Sequence, residues 1–128
     1  MTRQLDALVA KMVIGLRESD IYYWTGPWGG ERVRHISTQF PEYSDDIAAA
    51  FDALNKVTQA DEYEPTIAKI EGPFADGWGV TISWLHHDGD IDDERQGGPT
   101  LPIAICRAAL ARVGVPQAEI DAAMEATK

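Results

Sequence analysis

The 128-residue chain is short of three things that would each define a function class: positive charge, cysteine and long apolar runs. Its formal charge is −10, which argues against a nucleic-acid partner, because affinity for a polyanion rests on cationic contacts to phosphate. A single cysteine, Cys106, excludes an internal disulfide and fits a reducing compartment. No apolar run approaches the roughly 18 residues of a membrane span. The segment from Met1 to Asp6 lacks the apolar stretch of a signal peptide. The motifs GxSxG, GxGxxG, the P-loop and HExxH are missing too, so the reading is no catalytic set, no cofactor and no resident metal.

What is present suits one globular domain spanning 1–128. Apolar residues make up 45% of the chain, and at this size roughly two-thirds of the unfolded surface is buried on folding. The charge is unevenly spread. Residues 1–60 carry eight acids against six bases, residues 61–98 ten against two, and residues 99–128 three of each. The acidic excess is therefore internal and local.

Periodicity predicts a first helix from Thr2, its cap, to about Glu18, with Leu5, Leu8, Val9, Met12, Val13 and Leu16 forming one stripe. Between Ser19 and Pro41 the pattern predicts two strands around a glycine-rich turn. A second helix is expected from Ser44 to Thr58, capped by Ser44, with Ile47, Ala50, Phe51, Leu54 and Val57 buried. Asp61–Pro65 reads as a connector and Thr66–Glu71 as a strand. Trp78, Val80, Ile82 and Trp84 alternate on one face of the next strand. His86–Gly98 is expected to be a polar loop. A third helix runs from Leu101 to Val113 with Thr100 as cap, and a short last one from Gln117 to Ala126. The expected fold is α+β: a layered helix/sheet/helix sandwich with an antiparallel sheet of about four strands and three main helices.

Three constellations could carry chemistry. In the acidic segment, Asp88, Asp90 and Asp92 match the first ligand positions of a calcium loop. Asp93 stands where its glycine should be, however, and Pro99 where its bidentate glutamate should be. His86 and His87, as strand neighbours, would point to opposite faces and make a poor metal pair. Asp88, Asp90, Asp92, Asp93 and Glu94 remain as a surface for a basic protein partner. The aromatic segment is the third. Tyr23, Trp24 and Trp28 offer flat faces for stacking, Arg32 and Arg34 guanidinium groups for phosphate. Arg107, near the start of the third helix, is grouped with them as a site for a small anionic, nucleotide-like ligand. A domain this small could complete such a site as a homo-oligomer. Cys106, among Ile103, Ile105, Ala109 and Leu110, reads as a buried structural thiol.

Three segments resemble the phage ABA sandwich domain family: Leu5-Asp6-Ala7-Leu8-Val9-Ala10 with Val13 and Gly15, then Tyr43-Ser44-Asp45-Asp46-Ile47-Ala48-Ala49-Ala50-Phe51, and Pro102-Ile103-Ala104-Ile105-Cys106-Arg107-Ala108-Ala109-Leu110. Phe51, where the family commonly has tryptophan, and the acidic segment depart from its pattern. The resemblance implies a non-enzymatic phage accessory protein working in the host cytoplasm. It also connects the chain with phage proteins that counter Thoeris immunity by sequestering a signal of the cyclic ADP-ribose type.

Overall fold

The computed structural model describes residues 3–58, 66–86 and 88–125. The first helix, α1 (Arg3–Val9), runs on as a π-helical turn, Ala10–Ile14. It stops four residues before the expected end, because Gly15 takes a left-handed φ of 86° as its C-cap. The expected Thr2 cap lies outside the described residues. A short α2 (Glu18–Ile21) leads into a hairpin of β1 (Tyr22–Thr25) and β2 (Val33–Ile36). Then come α3 (Ile47–Thr58), β3 (Thr66–Phe74), β4 (Gly77–Leu85), β5 (Ile91–Gly98), α4 (Leu101–Arg112) and α5 (Gln117–Glu125).

The α+β class is as expected, with the strands divided between two antiparallel sheets, β1-β2 and β3-β4-β5. The expected loop at 86–98 is a correction: after a turn at Asp88–Asp90, residues Ile91–Gly98 form β5, paired along its length with β4. Asp88 Oδ1 accepts the Asp90 backbone N–H at 3.0 Å, and the His86 N–H donates to the Asp90 carbonyl at 2.7 Å, so the acidic residues themselves build the turn. The connector at Asp61–Pro65 lies outside the described residues, as does His87.

Two apolar cores meet at α4. On one side Ile103, Cys106, Ala109 and Leu110 pack with Leu5, Val9, Ile21, Ala53 and Ile120. On the other, Ala104, Ile105 and Ala108 meet Ala50, Leu54, Val80 and Ile82. Each set recurs at helical spacing, so α4 is apolar around its circumference and buried between layers. Thr100 caps α4 as expected, its Oγ1 accepting the Ile103 N–H. Burial pushes the Cys106 thiol well above its ordinary pKa, so it stays protonated at neutral pH.

The second helix corrects two expectations. Its cap is Asp46, whose Oδ1 accepts the Ala48 N–H at 2.9 Å, and not Ser44. Its buried face is Ala49, Ala50, Ala53 and Leu54, while Ile47 and Phe51 are partly exposed. Ser44 is instead fully buried, and its backbone N–H donates to Asp6 Oδ1 at 2.7 Å. The other oxygen of Asp6 pairs with Arg3 at 3.2 Å. Arg3 in turn donates to the Ser37 carbonyl and lies 4.1 Å over the Phe40 ring. Asp6 thereby ties α1 to the segment leading into α3. Its carboxyl is held above the usual value, because burial outweighs the stabilising bonds from Ser44 and Arg3.

Asp6→Ala would strand the buried Ser44 N–H and is expected to cost about 1–3 kcal/mol in urea unfolding. Asp6→Asn keeps an acceptor and should cost less. A carboxyl whose folded pKa is raised favours folding most below its unfolded value. That contribution is lost as pH rises through the folded value. The stability of the native chain relative to Asp6→Asn should therefore fall as pH climbs from below 3.8 through the raised value, measured by paired urea titrations.

Candidate functional site

The β1-β2 hairpin forms because Tyr22, Tyr23 and Trp24 opposite Val33 and Ile36 are strong strand formers. Its loop bends at Gly26 and Gly29, both at positive φ, and closes with the Gly30 N–H donating to the Pro27 carbonyl at 3.2 Å. The register pairs Tyr22 with Ile36, Tyr23 with His35, Trp24 with Arg34 and Thr25 with Val33. Alternation then divides the side chains: Tyr22, Trp24, Arg34 and Ile36 share one face, and Tyr23, Thr25, Val33 and His35 the other.

On the first face, arginines and aromatic rings interleave. The Arg34 guanidinium lies 4.3 Å from the Tyr22 ring centroid. Arg32 lies 4.6 Å from the Trp28 ring and 6.0 Å from that of Trp24. Such contacts contribute about 0.5–1 kcal/mol each at exposed positions, a bias of the guanidinium groups toward the rings. Neither Arg32 nor Arg34 makes an ion pair among the described residues. Their charge is thus available to an incoming anion. Trp28 is 89% exposed and Trp24 53%. An open cavity of about 350 Å³ is lined by Glu18, Ser19, Tyr22, Trp24 and Arg34. Beside it lies a second of about 490 Å³, sharing Glu18, Tyr22 and Arg34 and reaching Lys11 and Glu119.

Four of the six residues singled out in the sequence, Trp24, Trp28, Arg32 and Arg34, therefore come together. Tyr23 does not: it points to the opposite face, stacked on His35 with ring centroids 5.0 Å apart. His35 also hydrogen-bonds Thr25 at 2.7 Å. Tyr22 takes the place expected of Tyr23. Period-2 alternation counted from Trp24 would have found it.

Arg107 is also apart from this face. It donates to the Gly97 carbonyl at 2.8 Å and to Asp121 at 2.9 Å, bracing α4 against β5 and α5. It lines a different cavity of about 340 Å³, with Phe74, Asp76, Trp78 and Arg95 among its neighbours. Arg95 was invisible as a site residue because its segment reads as an acidic loop.

Asp88 and Asp90 stand in the turn, and Asp92, Asp93 and Glu94 on β5. Asp92 is bonded to His86, and Glu94 accepts from Gln96 at 3.2 Å. Among the described residues no three His, Cys, Asp or Glu side chains gather as metal ligands. No helix among them is long and apolar enough to cross a membrane.

The fold and this surface define a small α+β domain whose exposed hairpin carries an arginine–aromatic face. Residues 7–110, most of the chain, match the family described as Phage ABA sandwich domain. The chain belongs to that family, and so to the accessory proteins of phages. No curated protein and no solved structure matches it.

Because Trp28 is a surface residue whose ring contact is with Arg32, Trp28→Ala should shift the unfolding free energy by no more than about 1 kcal/mol. Chemical denaturation followed by far-UV circular dichroism measures this, and a loss of several kcal/mol would contradict the exposed hairpin.

Proposed function

We propose that this phage accessory protein is non-catalytic and binds a small anionic, nucleotide-like ligand on the arginine–aromatic face of its hairpin. The observation that carries the reading is Arg32 and Arg34, lying over the rings of Trp28 and Tyr22 with no ion pair among the described residues. Bases stack on indole faces, and a guanidinium grips phosphate through paired N–H donors. An extended polyanion would meet the chain's net −10 elsewhere, whereas a small anion needs only this patch. The ligand in view is a host immune signal of the cyclic ADP-ribose type, sequestered in the host cytoplasm.

A second reading keeps the acidic segment as a contact for a basic host protein. It is favoured by the placement of Asp93 on an edge strand and of Asp88 and Asp90 in the preceding turn, all three exposed.

Titration calorimetry and thermal shift against cyclic ADP-ribose isomers, ADP-ribose and cyclic dinucleotides test the first reading. At a hundred-fold excess over the dissociation constant, a true ligand adds about 2.7 kcal/mol of stability. Arg32→Ala and Arg34→Ala should each weaken binding about tenfold or more with little change in stability. Chromatography of the recovered ligand should show it unaltered. Absence of any saturable shift, or equal affinity in the arginine variants, overturns the assignment.

A further inference from the structure

The three-stranded sheet has two unlike faces. Val80 and Ile82 point into the core beneath α3 and α4. The register then places Glu71, Lys69 and Ile67 of β3, Gly79, Thr81, Ser83 and Leu85 of β4, and Gly97, Arg95, Asp93 and Ile91 of β5 on the opposite face. Among the described residues nothing covers it: Ile67 is 70% exposed and Ile91 64%. At one end Ile67, Ser83, Trp84, Leu85 and Ile91 line an apolar hollow of about 220 Å³.

Residues 61–98 contain ten acids and only two bases, Lys69 and Arg95, and both bases stand on this face. With Glu71 and Asp93 they make it neutral, on a chain that is otherwise strongly acidic. A face without net charge lets two such chains meet there without local like-charge repulsion.

The rows also fit themselves. Two copies can be related by a two-fold axis that lies between the sheets, crosses the strands, and passes between the Thr81 and Ser83 rows. Arg95 of each copy then falls opposite Asp93 of the other, and Ile91 opposite Gly97. Leu85 falls opposite Gly79, and Ile67 opposite the aliphatic stem of Lys69. Ile91 faces Gly97, where there is room, Leu85 meets the Arg95 guanidinium that lies over Gly79, and opposite charges meet. An axis along the strands would instead set Arg95 against Lys69. Arg95 makes no ion pair among the described residues, and its guanidinium, which lies against Gly79, turns outward to reach the other copy.

We infer that a second copy of this chain covers the open sheet face, as an isologous dimer held by reciprocal Arg95–Asp93 pairs and by Ile67, Leu85 and Ile91. Three strands about 4.8 Å apart and about seven residues long give a footprint of about 300 Å² per copy. That is well below the size of a stable interface, so the dimer is weak and transient. The dimer leaves the hairpin face uninvolved and does not depend on the ligand reading.

Sedimentation velocity from about 5 to about 500 µM should show the mass rising from one chain of 14.1 kDa toward two. Arg95→Asp and Asp93→Arg place like charges opposite each other, and each alone should weaken association at least about tenfold. Mixed in equal amounts they regain both opposite-charge pairs as a heterodimer, and the double variant regains them as a homodimer. Ile91→Glu, at an exposed position, should also give a monomer, and circular dichroism identifies the folded variants. A wild type that stays monomeric throughout, single charge variants that still dimerise, or a mixture that stays monomeric each overturns the proposal.

Discussion

The structure depends on α4 being buried on two sides at once. Ile103, Cys106, Ala109 and Leu110 face the helical core, and Ala104, Ile105 and Ala108 face the sheet. The small residues on the sheet side let the helix come close. At Gly98 the approach is so tight that an added Cβ would lie 2.8 Å from the backbone nitrogen of Ala104 and 2.9 Å from the Ile103 side chain. A glycine there is a packing requirement, since protein interiors have no slack of that size. With α4 fixed, one face of the three-stranded sheet and the inner face of α3 are used up. The hairpin face and the open sheet face are left exposed.

A second constraint, the buried Asp6, acts at the other end of the molecule. It accepts the N–H of Ser44 and pairs with Arg3, which itself reaches Ser37 and Phe40. One carboxylate thus fixes the path of the chain between the hairpin and α3. Burying it has an electrostatic cost, visible in its raised pKa, and its bonds offset that only in part. The hairpin is positioned by this arrangement without entering either core through its tip, which explains how Trp24 and Trp28 can stand exposed on an ordered scaffold.

Much of this was legible in the residues. Helical periodicity located α1, α3, α4 and α5, and alternation located β4, because long amphipathic patterns reflect burial directly. Thr100 was readable as a cap since nothing else competes for its side chain. Ser44 was not, because whether a serine caps a helix or is drawn into the core depends on a partner 38 positions away. The face of α3 was misjudged because its alanines, and not Ile47 and Phe51, meet α4. β5 escaped because Ile91-Asp92-Asp93-Glu94-Arg95-Gln96-Gly97-Gly98 has the composition of a solvated loop. Its strand state is imposed by pairing with β4, a non-local effect that outweighs local preference. For the site, residue types were informative and their grouping was not. Trp24, Trp28, Arg32 and Arg34 lie within one hairpin, whereas Arg107 lies apart from them, a separation that only the tertiary structure reveals.

In the proposed function, the hairpin's guanidinium and indole groups hold a small anion made by the infected host. Native mass spectrometry of the protein purified from infected cells tests it without prior choice of ligand. The folded wild-type chain should carry an added mass of several hundred daltons, released intact on denaturation and absent from an Arg32→Ala, Arg34→Ala double variant. Wild-type protein that carries no added mass, or a variant that retains it, would contradict the account.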